Sequence, residues 1–326
     1  MKAFVTGATG FVGSNLVDRL VELGFDVYCL RRKTSNIQWL KNKNVNFVEG
    51  DLFDNEVLEN TLKDTDYVFH VAGVVKSKTR EGFYKGNTYA TKNLVELTYK
   101  SNPNIKRFVF VSSQAVCGPN PDDKPVTEEY IPRPITTYGI TKLKSEEEVL
   151  KFKDKIPVSI VRPPAIYGPR DTEILIYFKT FAKGLNSIIG FGDKYLSLIY
   201  VEDLVDGIIA ASNENIKSGE IFFICSNESY SWDEIAETTS KILNRNPIKI
   251  RIPHFVVFTV GTISQSLSIF SKNAATLNIE KCKDITRRRW VCSNEKARKV
   301  LGFNPKHSLE QGFQKTIEWY KQNNWL

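Results

Sequence analysis

The stretch KAFVTGATGFVG, residues 2–13, decides the fold of this chain of 326 residues. Its first part, Lys2–Thr6, is an apolar run of the kind that forms a buried strand. A helical pattern of apolar residues, Val12–Leu23, follows the glycines without a gap. A strand, a glycine turn and a helix in this order begin a βαβ unit. The sequence therefore predicts a parallel sheet wrapped by helices.

The three glycines of this turn have different expected tasks. Gly7 permits the tight turn, Gly10 lets the backbone approach a diphosphate, and Gly13 lets the helix pack closely on the strand. The backbone N–H groups of Phe11 and Val12, at the beginning of the helix, would then face the anion. We therefore predict that these five residues hold the diphosphate of a dinucleotide. The alternative is a glycine-rich turn without a ligand.

The same alternation of strands and helices continues over the first half of the chain. The further predicted strands are Asp26–Leu30, Tyr67–Ala72, Arg107–Val111 and Val158–Val161, and the further helices are Thr88–Ser101 and Tyr138–Lys151. Beyond about Gly168 the alternation loosens. The predicted fold class is α/β, with a Rossmann-type doubly wound parallel sheet over 1–168, completed by returning segments from the C-terminal part. A smaller mixed lobe, 169–326, is predicted to bind substrate.

Composition excludes several classes of protein. Hydrophobic residues make up 41% and charged residues 25% of the chain, which is ordinary for a globular protein and unlike a disordered or fibrous one. The cysteines lack the C-x-x-C spacing of metal sites, so we predict no metal and a reducing compartment: Cys29, Cys117, Cys225, Cys282 and Cys292. The first residues read as a strand and not as a signal peptide, and we expect a cytoplasmic location.

Charge and hydropathy limit the expected partners. The formal net charge is +8, but the basic residues are spread along the chain, and only 286–290 holds a local cluster. We predict a solvated face or a contact to an anionic small molecule there, and no nucleic-acid site, because no basic motif with interleaved aromatic residues accompanies it. The only candidate membrane segment, 255–270, is too short for a full span and carries Ser, Thr and Gln. We expect a buried or surface-docked helix without an integral span, and peripheral membrane contact is the alternative.

The end of the second strand bears on the choice of dinucleotide. In a Rossmann site that prefers NAD, an acidic residue at this point accepts a hydrogen bond from the ribose 2′-hydroxyl. Here the strand ends in Arg31, Arg32 and Lys33, whose cations suit a 2′-phosphate. We predict NADP, contacted by Arg31 and Arg32. NAD is the alternative, if these side chains are only solvated.

Two further strand ends are predicted to border the cofactor. Asp51 and Leu52 follow a short strand and would lie beside the adenine. Ala72 and Gly73 close another strand with small residues, as is needed where backbone passes close to a cofactor. We interpret His70, just before them, as a packed strand histidine and not as a catalytic one.

A tyrosine, a lysine and a serine form the predicted catalytic group. Tyr138 and Lys142 are four residues apart, so on a helix their side chains are neighbours. An ammonium group there lowers the pKa of the phenol, which can then act as a general acid or base, and it also binds the nicotinamide ribose. Ser113 ends the preceding strand, where its hydroxyl can hydrogen-bond a substrate carbonyl or alkoxide oxygen.

These motifs occur together, in order, over nearly the whole chain. The segments are 7–13, 51–52, 70–73, 87–93, 112–118, 138–142, 162–169 and 201–204. In them the chain resembles the extended short-chain dehydrogenase/reductase superfamily. In that family the residue matched by Ser113 positions the substrate oxygen, Tyr138 transfers the proton, and Lys142 holds the ribose and tunes the tyrosine.

The resemblance implies further contacts. Asn87 would lie near the catalytic face and support the catalytic lysine through backbone or water. Pro163 and the neighbouring backbone, including Ala165, would border the nicotinamide. Helices that match 88–101 and 138–151 commonly form a four-helix interface in this family, so a homodimer is expected.

Three departures from the family pattern point to one of its branches. Nucleotide-sugar epimerases and dehydratases typically carry Asn where this chain has Ala165, Arg in the stretch that reads Tyr195–Leu198 here, and Tyr where it has Cys117. An apolar pocket suits a hydrophobic ketone or alcohol, because each buried polar group left unpaired would cost about 1–3 kcal/mol. The branch that the chain resembles most is the 3β-hydroxysteroid dehydrogenase and dihydroflavonol-reductase-like group.

The predicted function is therefore that of an NAD(P)-dependent oxidoreductase. It would reduce a ketone, or oxidise a secondary alcohol, on a fairly apolar small molecule. One alternative is a nucleotide-sugar epimerase or dehydratase with recycled NAD, in which Arg287–Arg289 would contact the diphosphate. A second is a non-catalytic dinucleotide-binding regulatory protein, although such proteins usually lose the Tyr/Lys pair that this chain keeps.

Overall fold

A computed structural model describes residues 1–268, 271, 275 and 277–326. The strands are β1 (Lys2–Thr6), β2 (Asp26–Arg31), β3 (Asn46–Glu49), β4 (Tyr67–His70), β5 (Arg107–Val111), β6 (Val158–Arg162), β7 (Ala165–Tyr167), β8 (Leu185–Ile189), β9 (Tyr195–Tyr200), β10 (Glu220–Phe223), β11 (Ser229–Ser231), β12 (Ile248–Ile252) and β13 (Arg289–Trp290). The helices are α1 (Phe11–Glu22), α2 (Asn55–Leu62), α3 (Arg80–Phe83), α4 (Ala90–Ser101), α5 (Thr137–Leu150), α6 (Glu173–Ala182), α7 (Val201–Ala210), α8 (Trp232–Leu243), α9 (His254–Ser268), α10 (Ile279–Ile285), α11 (Glu295–Leu301) and α12 (Leu309–Gln322), with a π-helical turn over Tyr84–Tyr89 and a 3₁₀ turn over Gln114–Val116.

Seven strands form one parallel sheet in the order β10-β6-β5-β4-β1-β2-β3. The chain proceeds outward from β1 on one side and from β4 on the other, so the strand order reverses between these two strands. Ligands of such sheets bind beyond the carboxyl ends of the strands at this point. The predicted α/β class and the doubly wound parallel sheet are confirmed.

Helices cover both faces of the sheet because successive strand residues point into two different apolar layers. Val5 and Phe69 pack with α1 and α7 on one face. Phe4 and Phe110 pack with α2, α4 and α5 on the other. Both α7 and β10 come from the chain beyond residue 168. Segments that return from the C-terminal part therefore complete the sheet and one of its helical layers.

The other C-terminal segments form a smaller lobe, which begins where β7 follows β6. Strands β7, β9, β11 and β13 make one small sheet, and β8 pairs in parallel with β12. Aromatic side chains fill the core of this lobe, among them Tyr167, Phe178, Tyr200, Phe313 and Tyr320. The lobe therefore lies at the carboxyl ends of the central strands.

Two element boundaries differ from the expectation by more than one residue. The strand expected over Tyr67–Ala72 ends at His70, because the next residues bend over the glycine turn and Ala72 N donates to the Thr6 hydroxyl at 3.3 Å. The helix expected from Thr88 starts with α3 and the π-helical turn before α4 begins. Single π turns inside helices occur often at functional sites.

The segment 255–270 forms a helix over most of its length. Helix α9 covers His254–Ser268, and Ile269 and Phe270 lie outside the described residues. Among the helices that the structure describes, none is long and apolar enough to cross a membrane.

The glycine turn is fixed by close contacts between main chains. Gly7 has a φ of 72°, and a Cβ atom there would lie 2.7 Å from the backbone nitrogen of Ala72. A Cβ atom on Gly13 would overlap the carbonyl oxygen of Gly7. Both positions therefore require glycine. They hold the beginning of α1 directly against the ends of β1 and β4.

Gly13→Ala is expected to destabilise the protein by about 1–3 kcal/mol, because the added methyl group has no space beside the Gly7 carbonyl. Thermal unfolding measures the effect. Gly192→Ala is the matched control, since its Cβ would meet Arg288 at an ordinary 3.6 Å. Equal melting temperatures for the two variants would contradict the packing role of Gly13.

Candidate active site

The N-terminus of α1 offers unpaired backbone donors at the point where the strand order reverses. The helix begins after Gly10, and among the described side chains none caps it. The N–H groups of Phe11, Val12 and Gly13 therefore have no partner within the helix. Such a helix end is a binding site for an anionic group. The turn thus fits the diphosphate of a dinucleotide, as the spacing of its glycines predicted.

At the end of β2, one of the two arginines expected at a 2′-phosphate already has a partner. The Arg31 guanidinium lies 3.1 Å from the Glu49 carboxylate of β3 and over the Phe47 ring, at 5.3 Å from its centroid. Arg31 Nε is buried and has no hydrogen-bond partner in the described structure. Lys33 approaches the same carboxylate at 3.6 Å, whereas the Arg32 side chain is exposed.

Local hydrogen bonds hold the loop after β3 at the edge of the sheet. The Asp51 carboxylate accepts the N–H of Phe53 at 2.7 Å, and the Leu52 carbonyl accepts from the Asn93 side chain on α4 at 2.8 Å. Asp51 remains exposed. Both residues predicted beside the adenine therefore lie in an ordered loop two strands away from β1.

The loop after β4 passes between the glycine turn and the catalytic helix. A Cβ atom on Gly73 would lie 3.3 Å from Asn87 Oδ1 and 3.8 Å from Lys142 Nζ. The Asn87 side chain accepts the N–H of Val74 at 2.7 Å and donates to its carbonyl at 3.1 Å. It also donates to the hydroxyl of Thr141 at 3.0 Å. Asn87 thus fixes the loop after β4 to Thr141, the residue directly before Lys142, and its support of Lys142 through backbone or water stays a prediction.

His70 is packed, as expected, and is not positioned for catalysis. Its Nδ1 lies 2.7 Å from the Thr6 hydroxyl, its Nε2 lies 2.9 Å from the Thr91 hydroxyl, and its ring stacks on Phe110. Burial, helped by the nearby Lys142 charge, lowers the pKa of His70 to about 3. The imidazole is therefore neutral and part of the core.

The three predicted catalytic residues meet at the carboxyl end of β5. Ser113 follows this strand, and its hydroxyl accepts the N–H of Ala115 at 3.1 Å. Tyr138 and Lys142 lie on the first two turns of α5, which the Thr136 hydroxyl caps by accepting the N–H of Gly139. The Ser113 hydroxyl lies close enough to the Tyr138 phenol to lower its pKa.

The electrostatics of Tyr138 differ from the expectation that the lysine lowers its pKa. Burial raises the pKa of Tyr138, the nearby Ser113 hydroxyl lowers it, and the Asp284 carboxylate raises it further. Lys142 instead donates to the carbonyl of Val111 at 2.8 Å and lies 4.1 Å from the centroid of the Phe110 ring. The side-chain nitrogen of Lys142 thus contacts the main chain of β5 and the Phe110 ring.

Burial also shifts the pKa of Lys142. It lowers the pKa of Lys142 from 10.5 to about 7, and the Glu146 charge one turn along α5 opposes that shift. Glu146 itself forms a buried pair with Arg162 of β6, with N–O distances of 2.6 and 2.9 Å. This pair fixes the rotation of α5 against the sheet, and the sequence did not identify it.

Two carboxylates from the C-terminal lobe also reach the site and were missed by the sequence reasoning. Glu280, on α10, accepts the N–H of Thr137, directly before Tyr138. Asp284, one turn further, is the charge that raises the pKa of the tyrosine. In the sequence these two residues look like polar positions of an ordinary amphipathic helix. Only the tertiary structure shows that they lie beside α5.

The remaining predicted positions lie on the side of the lobe. The Pro163 carbonyl oxygen accepts the N–H of Gln114 at an N–O distance of 2.8 Å. Pro163 therefore lies next to Ser113, the residue before Gln114. Ala165 is exposed at the start of β7 and is the register partner of Leu198 on β9. Cys117 is fully buried, and burial raises the pKa of its thiol to about 12.

Several known proteins are similar to this chain in sequence or in structure. The NAD dependent epimerase/dehydratase family matches residues 3–225. Ceramide reductase from Caulobacter vibrioides is 27% identical, over 99% of this chain and 95% of that protein. Sterol-4-alpha-carboxylate 3-dehydrogenase, decarboxylating, from Mus musculus is 28% identical, over 97% of this chain and 90% of that protein. UDP-glucose 4-epimerase from Thermotoga maritima, solved with UDP-glucose, has a TM-score of 0.81 at 25% identity, over 99% of this chain and 100% of that one.

Lys142→Met is expected to stabilise the dinucleotide-free protein, because folding no longer buries an ammonium group. Below about pH 7 the wild type bears this cost in full. Between pH 7 and 10.5 the folded amine is neutral while the unfolded one still binds a proton, so wild-type stability rises with pH. The advantage of the variant should therefore shrink over this range.

Melting temperatures from about pH 6 to about pH 10 measure this difference. The exposed neighbour variant Lys144→Met is the control and should follow the wild type. A constant difference between Lys142→Met and the wild type across the range would contradict the lowered pKa.

Proposed function

Because the chain belongs to the NAD-dependent epimerase/dehydratase family, we propose that it is a dinucleotide-dependent oxidoreductase acting on a fairly apolar small molecule. It reduces a ketone or oxidises the corresponding secondary alcohol. Ser113, Tyr138 and Lys142 carry the chemistry.

The observation that carries this proposal is the pairing of two departures from the nucleotide-sugar pattern. Ala165 and Leu198, which are 33 positions apart in the chain, are register partners on β7 and β9. Neither side chain has a polar group, so these two positions offer no side-chain contact to a substrate diphosphate. The third departure, Cys117, is buried and neutral. A substrate without a diphosphate suits this lining best.

The chain's own groups handle the substrate oxygen and the proton, and a bound dinucleotide supplies or accepts the hydride. Ser113 and Tyr138 hydrogen-bond the carbonyl oxygen, and Tyr138 donates its proton to the developing alkoxide. Since burial raises the pKa of Tyr138, the phenol stays protonated near neutral pH. Reduction is therefore the direction favoured at neutral pH, and oxidation, which needs the phenolate, requires a higher pH.

The relatives support an apolar substrate, although not uniformly. The ceramide reductase and the sterol dehydrogenase are named for large lipids. The similarity to a UDP-glucose 4-epimerase, together with the exposed Arg287 and Arg288, favours the epimerase alternative with recycled NAD. Arg289, however, pairs with Asp123 at 2.7 Å. A non-catalytic regulatory protein is the weakest alternative, because the Ser113–Tyr138 contact has no role in it.

NADP is the dinucleotide that we propose. Arg32 is exposed at the end of β2 and, among the described residues, forms no ion pair, so it is free for a 2′-phosphate. The unpartnered Nε of Arg31 offers a second donor. Glu49 is the observation that favours NAD, since its carboxylate lies at the same strand ends and accepts hydrogen bonds.

A homodimer and a cytoplasmic location are also part of the proposal. Helices α4 and α5 pack side by side, and Tyr89 and Tyr99 leave aromatic rings exposed on this part of the surface. The location rests on the cysteines, since all five are free and buried.

Tyr138→Phe is expected to lower turnover by roughly 10³-fold or more, because the alkoxide loses its proton donor. Dinucleotide binding should stay nearly intact. Oxidation of NADPH, followed by absorbance with a panel of long-chain and polycyclic ketones, measures turnover. Tyr99→Phe, at an exposed tyrosine on α4, is the control. Retained turnover in Tyr138→Phe would rule out this mechanism.

Arg32→Ala is expected to weaken NADPH binding by about 10- to 100-fold, because a charge-assisted hydrogen bond contributes about 1.5–3 kcal/mol. NADH binding should hardly change. Nucleotide fluorescence measures both affinities, with the exposed Arg298→Ala variant as the control. Equal losses for NADPH and NADH would argue against a 2′-phosphate contact.

A further inference from the structure

Helix α9 has apolar side chains on two different sides, and only one of these sides packs on the protein. Val257 and Gly261 are buried, and Gly261 lies so close to Cys282 of α10 that a Cβ atom would overlap the sulfur. The outward stripe repeats at intervals of four, three and four residues: Val256, Val260, Ile263 and Leu267. The last three of these are 48%, 55% and 65% exposed. We call this stripe the α9 face.

The apolar surface continues beyond the helix. Gly190, after β8, is so close to the His254 ring that a Cβ atom would lie 2.6 Å from Nε2. This contact brings the neighbouring residues Phe191 and Phe255 to the same end of the lobe, and their side chains are 68% and 72% exposed. Aromatic side chains of this kind favour the boundary between water and lipid. The α9 face is therefore part of a larger exposed patch.

Two arginines lie beside this patch. Residues 238–279 contain five Lys or Arg residues and no Asp or Glu. Arg251 donates to the carbonyl of Gly190 at 3.3 Å and Arg288 to that of Asp193 at 3.5 Å. In the part of the chain that the structure describes, neither arginine has a carboxylate partner. Their charges are thus available to an anionic surface beside the apolar side chains.

The same helix borders the catalytic cleft. A cavity of about 130 Å³ opens between the loop at Phe83 and the C-terminal end of α9, where Gln265 and Ser268 line it. Thr137, the residue directly before Tyr138, lines the other side. The C-terminal end of α9 therefore lies across this cavity from the residue that precedes Tyr138, while the exposed stripe lies on another side of the helix.

We propose that the α9 face and the phenylalanines Phe191 and Phe255 dock on an anionic phospholipid bilayer. Docking would place the mouth of the cleft at the lipid surface, so that an apolar substrate reaches Tyr138 without crossing water. This second part rests on the proposed function, whereas the docking itself does not. A second copy of the chain fits the patch less well, because two cation-rich surfaces repel each other. An anionic surface complements both the charge and the apolar side chains.

Sedimentation with phosphatidylcholine vesicles, with and without phosphatidylserine, tests the docking. The wild type should bind the vesicles that contain phosphatidylserine, and added salt should release it. Ile263→Ser/Leu267→Ser should lower this binding by about tenfold or more, because two exposed apolar side chains no longer enter the lipid. Leu23→Ser/Val300→Ser, which removes two apolar side chains elsewhere that are about half exposed, should bind like the wild type.

Three results would overturn the docking: no vesicle binding by the wild type, equal binding with and without phosphatidylserine, or unchanged binding of the α9 variant. Light scattering that shows a dimer in the wild type and a monomer in the α9 variant would assign the face to a second copy instead. For the substrate part, the α9 variant should lose turnover of a vesicle-borne ketone and keep turnover of a water-soluble one. Vesicle binding without turnover of any ketone would reject the proposed function alone.

Discussion

The close approach of the main chain at Gly7 to the main chain at Ala72 is the constraint on which the rest of the site depends. It requires a positive φ and no side chain at Gly7, and it joins the ends of β1 and β4 at the point where the strand order reverses. The uncapped N-terminus of α1 is fixed on one side of this contact. On the other side, the next residue, Gly73, leaves room for Asn87 and Lys142. One steric condition therefore links the predicted diphosphate site to the predicted catalytic residues.

In helix α5, the burial of the two predicted catalytic residues Tyr138 and Lys142 opposes their ionisation. Burial of Lys142 disfavours its charged form, and burial of Tyr138 disfavours the phenolate. The buried pair of Glu146 and Arg162 holds the helix in place, and such pairs contribute orientation more reliably than net stability. Asn87 hydrogen-bonds both Thr141 of this helix and Val74 of the loop after β4, and so fixes the loop to the helix. Hydrogen bonds and one ion pair between specific residues thus hold the site in place. Burial of the same site shifts the pKa values of Tyr138 and Lys142.

The sequence predicted the parts of this structure that depend on local patterns. The glycine turn, the strands and the Tyr138–Lys142 spacing follow from periods of a few residues, so the fold class and the predicted catalytic group could be read directly. Contacts over long separations could not. Glu49 meets Arg31 only because β2 and β3 pair in one register, and Glu280 and Asp284 reach α5 from a helix about half the chain away. The direction of the Tyr138 pKa shift was missed for the same reason, since burial and the Val111 carbonyl are tertiary features.

The proposed reduction requires that the protein release its oxidised dinucleotide and bind a reduced one in every cycle. The most direct test is to identify by mass spectrometry any dinucleotide that remains bound after purification, and then to titrate the protein with NADPH and NADH by nucleotide fluorescence. We expect that the purified protein does not retain one dinucleotide per chain. It should bind NADPH reversibly and more tightly than NADH. Stoichiometric NAD that does not exchange would contradict the proposed reduction and would instead favour an epimerase that returns the hydride to the same substrate.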